Sequence, residues 1–412
     1  MNASASAATE WRSHWTLPIA AAIGYSTAVL HTYAIGPFFE PLQQEFGWSR
    51  AQLSAGITIT GLAGAAFAVP IGLLVDRLGP RLVGLIGVIL MTGAFALLGT
   101  ATGDTANWLL LWCVVAFANL WLQATVWTSA VASRFETSRG LAFAVTLSGA
   151  SVAATVFPLL ATSLIGAHGW RTAFMAMGGL WAALVFPIML LFFRGAHDNG
   201  AKARAASKVA STAPGMSIGE GLRSPAFYKL VLASGLFTFT ALGIIVHFVP
   251  ILTDRGADPL AAAGIAALVG IFSIIGRLGT GLLLDRLPGQ FVGAAVFVLP
   301  IIACALLFLD GGNPLSQAVA AAIFGLTIGA EVDVIAYLAS RHFGLKNYGV
   351  FFGAMTGALA LGVAFGPLAA GAAYDRYGSY APYLVLTMIF MAVSSLALAT
   401  LGRPRFGAPG HV

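Results

Sequence analysis

"GLLVDRL", residues 72–78, returns in the second half of the chain as "GLLLDRL", residues 281–287. Each copy closes an apolar run with an acid–base pair. Two further fragments recur at nearly the same separation: "SAGI" (54–57) as "AAGI" (262–265), and "SRFETSRG" (133–140) as "SRHFGLKNYG" (340–349). A chain that repeats boundary motifs over half its length is built from two like halves, and parallel repeats of this kind are a mark of transporters, with the substrate site expected near the midplane.

The composition sets the surroundings. Of 412 residues, 58% are hydrophobic and only 9% charged, too apolar for a soluble globular protein and suited to a polytopic membrane protein. Twelve apolar stretches are long enough to cross a bilayer as helices. They lie near 15–39, 51–75, 82–102, 107–133, 140–166, 171–193, 226–252, 260–284, 291–309, 316–340, 348–373 and 380–401. The predicted fold is all-α, a six-helix bundle (15–193), a polar linker (194–225) and a second six-helix bundle (226–402), with tails at 1–14 and 403–412. The linker, rich in Ala, Ser, Gly and basic residues, reads as mobile with a short surface helix.

With both termini inside, sixteen of the 21 Lys and Arg residues fall on the cytoplasmic side and four (Arg50, Arg171, Arg255, Arg376) on the outer side, Arg277 being the remaining one. The basic excess therefore reflects topology, and no nucleic-acid partner is implied. A bacterial inner membrane and a monomer are the expected setting. Cys113 and Cys304 fall in apolar runs and read as packing residues. The N-terminus has no short apolar core with a cleavage site, so it reads as a tail. There is no phosphate-binding G-x-x-x-x-G-K-[ST] and no H-E-x-x-H, so neither ATP-driven pumping nor zinc hydrolysis is supported; no cofactor, metal or enzymatic activity is expected.

"GLLVDRLGPR" (72–81) resembles the loop between helices two and three of the major facilitator superfamily. "FGWSRAQLSAG" (46–56), "HFVPILTDRGAD" (247–258), "GRLGTGLLLDR" (276–286) and "GAEVDVIAYLASRHFG" (329–344) resemble its bacterial monocarboxylate transporter and oxalate–formate exchanger group. The resemblance implies alternating access and a small carboxylate cargo. It also implies that Asp76 and Arg77, Asp285 and Arg286, with Glu136 as partner, latch one state.

Arg277 sits eight residues inside the Asp285 boundary, about 12 Å deeper on a helix. A cation at that depth costs a few kcal/mol unless solvated or paired. Its helical neighbours Gly270, Ser273, Thr280 and Gly281 suggest a small, polar face lining a watery cavity. One reading is a guanidinium that forks a substrate carboxylate through two parallel donors; the resembled family places a substrate-binding Arg in helix eight, and Arg277 matches it. The competing reading is an ion pair with Glu331 or Asp333 that only locks two helices. Animal members carry an acid one turn before this Arg, where this chain has Ser273, so that acid's role does not transfer.

Glu331 and Asp333 lie deep in helix ten, and two residues apart they point to different sides. One is expected to face a cavity and the other a neighbouring helix; one reading is an acid that exchanges a proton as the cavity alternates, the other a neutral or paired structural acid. His247, a lone His on an apolar helix, reads either as a packed residue or, because the resembled family places a substrate-contacting His in this region, as a ligand, and an imidazole there also suits proton sensing. Tyr33, His31, Asn119, Tyr337 and Ser273 complete the candidate donors. Trp112, Trp121 and Trp127 suggest either an aromatic-walled pocket or packing. One deep cation fits a monocarboxylate better than a dicarboxylate. The expected function is a proton-coupled carboxylate symporter; the alternatives are an organic-anion exchanger and a carboxylate sensor that does not transport. "GVFFGAMTG" (349–357), with small residues at every fourth place, is expected to allow close helix contact.

Overall fold

The computed structural model describes residues 7–196, 215–309, 312–344, 346–402, 404 and 406, with the side chains of Ala68, Val69 and Asp76 outside the description. Among the described residues there is no strand, only an isolated bridge between Gly215 and Gly344. The chain divides into two compact units, one of Met1–Trp48 and Ala55–Ala203, the other of Ser49–Ser54 and Arg204–Val412.

The first unit holds α1 (Ala7–His14), α2 (Thr16–Ala28), α3 (Leu30–Ala34), α4 (Phe39–Phe46), most of α5 (Arg50–Leu78), α6 (Pro80–Leu97), α7 (Thr105–Leu120), α8 (Ala124–Ala132), α9 (Arg139–Leu147) and α10 (Gly149–Phe192). The second holds the start of α5, then α11 (Ile218–Arg223), α12 (Pro225–Thr253), α13 (Pro259–Leu284), α14 (Gly289–Leu309), α15 (Pro314–Phe343), α16 (Tyr348–Tyr377) and α17 (Ala381–Ala399). Nine of the described helical runs are long and apolar enough to cross a membrane. One of them, Arg139–Phe192, covers two expected spans and bends at Gly169, where φ is 76°. The protein is an all-α, polytopic membrane protein.

Helix starts follow local chemistry. Asp104, Asp258 and Asn313 accept first-turn amide N–H groups, and Pro259 and Pro314 follow two of them at the first helical position, where a missing N–H costs nothing. Two expected spans are interrupted. Helix one breaks at Val29 (φ −108°, ψ 7°) between α2 and α3. Helix four breaks between α7 and α8, where the Trp127 indole donates to the Leu122 carbonyl at 3.0 Å and so replaces the helical bond that the break removes.

Within the stretch expected as a tail, Ala7–His14 forms α1, and its Glu10 carboxylate binds the loop amides that lead into α9. It accepts the N–H of Glu136, Thr137 and Ser138 at 2.9–3.0 Å and the Ser138 hydroxyl at 2.7 Å. These bonds hold the Glu10 carboxyl at a pKa of about 2, below its usual 4.5. In the second unit the residues before α11 attach to the matching loop by different means: Met216 N–H donates to the Phe343 carbonyl, and the Asn347 amide donates to Met216 O. α11 is the short helix expected within the linker; residues 197–214 of that linker lie outside the described residues.

Glycines set the tightest contact in the second unit. A Cβ on Gly276 would lie 2.1 Å from the Leu326 carbonyl oxygen, and one on Gly329 would lie 1.9 Å from that of Ser273. α13 and α15 therefore cross backbone to backbone. The stripe Gly349, Gly353, Gly357 does not: a Cβ at any of these meets nothing within 4 Å, which corrects the expectation of close contact there. Small residues permit an approach without causing one, and α16 makes its close approach further along, at Gly362 and Gly366 against α12.

Candidate functional site

The α13–α15 crossing places Arg277 beside α15. Arg277 Nε lies 3.9 Å from Asp333 Oδ2, with the side chains 17% and 36% exposed respectively. That separation allows Coulomb attraction but is too long for a hydrogen bond. The Nε atom is buried and has no hydrogen-bond partner. Glu331 points away to α12, where the Thr238 hydroxyl donates to its Oε1 at 2.7 Å. The two acids thus face different partners: Asp333 beside the guanidinium and half-exposed, Glu331 buried against a neighbouring helix. Thr238 is not a candidate from sequence; its spacing from Glu331 carries no signal until the fold is known.

The face expected to line a cavity is a packing face. Gly270, Ser273 and Thr280 are buried, and the Ser273 hydroxyl donates to the Gly270 carbonyl at 2.7 Å. The reason is the Gly276 and Gly329 approach, which fills the space beside these residues with the α15 backbone. Gly281 keeps open space beside it.

His247 is fully buried in a polar chain. Arg50 Nη1 donates to the Tyr380 hydroxyl at 2.8 Å, and that hydroxyl is 2.7 Å from His247 Nδ1. His247 Nε2 is 2.9 Å from the Pro367 carbonyl and 3.0 Å from Ser54 Oγ. A carbonyl only accepts, so Nε2 carries the proton, and Nδ1 accepts from Tyr380. Both ring nitrogens are engaged, an arrangement suited to holding α12, α16 and the first turn of α5 in register. Arg50 itself is bidentate to Asp254, with Nη2 to Oδ1 at 2.8 Å and Nη1 on Oδ2, and stacks 3.6 Å over the Tyr374 ring. Asp375 accepts the amide N–H of Arg50 and Ala51 at 2.8 and 2.9 Å. From sequence Arg50 reads only as a boundary charge; its place in "GWSR" just before a helix is the available signal.

In the first unit His31 is buried next to the α2–α3 break, edge-on to Trp112, and Tyr33 is half-buried two residues further on. Asn119 is half-buried where α7 ends, and its carbonyl accepts the Leu122 N–H at 3.1 Å. Trp112 and Trp127 are fully buried, and Trp121 is half-buried. In the second unit Tyr337 packs against Gly289, with Arg341 over its ring at 5.0 Å. Of the expected latch residues, Asp76 lies outside the described side chains, while Arg77, Glu136, Asp285 and Arg286 are exposed.

The family model described as Major Facilitator Superfamily matches residues 21–367. Monocarboxylate transporter 13 of Rattus norvegicus is 27% identical over 89% of this chain and 84% of its own. The oxalate:formate antiporter of Oxalobacter formigenes is 24% identical over 90% and 87%. Among solved structures, a bacterial homologue of the human lysosomal transporter Spinster, inward-facing and occupied, superposes with TM-score 0.70 at 17% identity over 94% of this chain and 96% of its own. A mutant form of the nucleoside transporter NupG superposes with TM-score 0.72 at 12% identity over 94% and 98%. Repeated halves, interrupted apolar helices and a match over most of the length lead to one assignment: the chain belongs to the major facilitator superfamily.

Proposed function

We propose that this transporter moves a small organic monocarboxylate by alternating access in symport with a proton, and that Arg277 binds the substrate carboxylate. The observation that carries the reading is the Arg277 Nε, a buried donor of a permanent cation with no hydrogen-bond partner and an acid held 3.9 Å away. A pair that served only to lock two helices is expected to close from 3.9 Å to hydrogen-bond distance, since leaving a buried charged donor without a hydrogen bond is costly. A carboxylate cargo closes it by forking the guanidinium, and the names of two relatives, a monocarboxylate transporter and an oxalate:formate antiporter, support an anionic carboxylate.

Asp333 is the proton carrier in this reading. A second carboxylate arriving at the same guanidinium repels the first, so substrate binding favours the protonated form of Asp333, and substrate and proton load together. Glu331, buried on Thr238, is a helix-to-helix contact. The exposed boundary charges Arg77, Asp285 and Arg286 serve as state latches on the cytoplasmic side.

Proteoliposomes with an imposed pH gradient test this. Asp333→Asn abolishes gradient-driven accumulation of organic acids and leaves counterflow exchange, while Glu331→Gln retains both. Accumulation that survives Asp333→Asn removes the proton role from that residue, and a wild-type protein that exchanges but never accumulates is an organic-anion exchanger.

A further inference from the structure

In the first unit the loop that leads into α9 gathers four donors on one carboxylate. The amides of Glu136 and Thr137 converge on Glu10 Oε1, and the Ser138 amide and hydroxyl converge on Oε2, at 2.7–3.0 Å. Successive N–H groups turned to one side make a concavity that suits an anion of any origin. This cage selects the charged form. With the Thr137 amide foremost, its donors hold the Glu10 carboxyl at about 2 against a usual 4.5. The loop "SRFETSRG" (133–140) brings two exposed cations, Arg134 and Arg139, and one exposed acid, Glu136.

The resident carboxylate is carried on a weak support. α1 has eight residues, Ala7–His14, too few to keep a helix in water without docking. Besides Glu10, ring contacts attach it: Trp11 and His14 meet Phe135 edge-on, at 5.3 and 6.3 Å between centroids. The Trp11 Nε1 is buried with no hydrogen-bond partner among the described residues, which counts against the docked form. A helix that folds only by docking also undocks, and it then leaves four convergent donors in need of an acceptor.

We propose that the 136–138 cage is a regulatory oxyanion site, with Glu10 as its resident ligand and a phosphate or carboxylate oxyanion, free or on a lipid headgroup, as the exchanging ligand that releases α1. The Trp15 N–H donates to the Trp11 carbonyl and α2 begins at Thr16, so release of α1 frees the start of helix one. The site needs nothing from the Arg277 reading.

Full-length purified protein, unfolded by heat in chloride and in phosphate or acetate at equal ionic strength, tests the cage. Phosphate stabilises proteins generally and acetate can also reach Arg277, so the readout is the difference between wild type and Glu10→Ala. Glu10→Ala empties the cage and should gain more from each anion than wild type does. Ser138→Ala in that background should cut the extra gain. Equal gains in wild type and Glu10→Ala, or none in either, overturn the site. Release is read in wild type from amide hydrogen exchange of residues 7–14, which phosphate should speed about threefold or more over chloride. Unchanged exchange means that Glu10 never yields the cage, and it overturns the regulatory role. In nanodiscs without added phosphate, faster exchange on phosphatidylglycerol than on phosphatidylcholine assigns the oxyanion to a lipid headgroup, and equal rates assign it to the free ion.

Discussion

Two arginines of the second unit, Arg50 and Arg277, are both mostly hidden from solvent, and their surroundings differ in the way that separates holding from binding. Arg50 has a bidentate carboxylate, a tyrosine hydroxyl and an aromatic face beneath it. Arg277 has one acid beyond hydrogen-bond reach and a buried donor with nothing to meet it. A guanidinium with satisfied forks has already used the directional chemistry that makes arginine a carboxylate receptor. One with an open fork has kept it. Depth alone does not distinguish the two; the state of the donors does.

The largest effect follows from breaking the saturated member. Arg50→Gln leaves Asp254 and the Tyr380–His247 chain without their cation; the Arg50 side chain is buried and that of Asp254 partly exposed, and losing the charge-assisted bonds of this part-buried bidentate pair and of the Tyr380 hydroxyl costs about 3 kcal/mol. The purified variant should unfold at a clearly lower temperature than wild type, and Asp254→Asn in the Arg50→Gln background should recover part of the loss. An unchanged midpoint would place Arg50 among ornamental surface charges.

A smaller effect tests what holds Arg277 where it is. Gly329→Ala puts a methyl 1.9 Å from the Ser273 carbonyl, a backbone clash that can be relieved only by parting α13 from α15, at about 1–3 kcal/mol. Stability and substrate affinity should fall together, whereas Gly353→Ala, with open space around it, should change neither. Affinity that is unmoved by Gly329→Ala would show that the crossing does not position the guanidinium.

The smallest effect concerns another saturated charge, Glu10. Its carboxyl is held at about 2 against an ordinary 4.5. The folded state therefore binds the proton less tightly than the unfolded state does, and the contribution to stability is complete above the ordinary value and is lost as pH falls towards 2. Melting curves between pH 6 and pH 3 should show a steeper loss for wild type than for Glu10→Gln. Equal slopes would mean that the α1 contact is not carried by this carboxylate.

Most of the fold is legible in the sequence, because hydropathy and helix caps are local. The apolar run expected at 260–284 is α13 at Pro259–Leu284, and that expected at 226–252 is α12 at Pro225–Thr253. The departures come from tertiary contact. Glu10 is a polar residue in a polar stretch, and only the proximity of the 136–138 amides makes a folded α1 of it. The site is legible in part. The opposite headings of Glu331 and Asp333 follow from helix periodicity, yet which acid meets Arg277 depends on the Gly276 and Gly329 crossing. That same crossing buries Ser273 and Thr280, so a face that looks like a cavity wall is filled with backbone. The pairing of Arg50 with Asp254 joins residues far apart in sequence, and no spacing rule reveals it.

The central claim is that Arg277 is a receptor and Arg50 a fastener. The most direct measurement is ligand-induced thermal stabilisation of purified Arg277→Ala, read against wild type with a panel of small carboxylates. A charge-assisted pair contributes about 1.5–3 kcal/mol, so the variant should unfold near the wild-type temperature without ligand and bind the acids roughly tenfold to a hundredfold more weakly. Arg277→Lys, which keeps the charge and loses the fork, should be impaired nearly as much. If the folded Arg277→Ala protein binds the acid as tightly as wild type, or if it misfolds and Asp333→Asn restores both folding and transport, Arg277 is a fastener too and the carboxylate assignment is wrong.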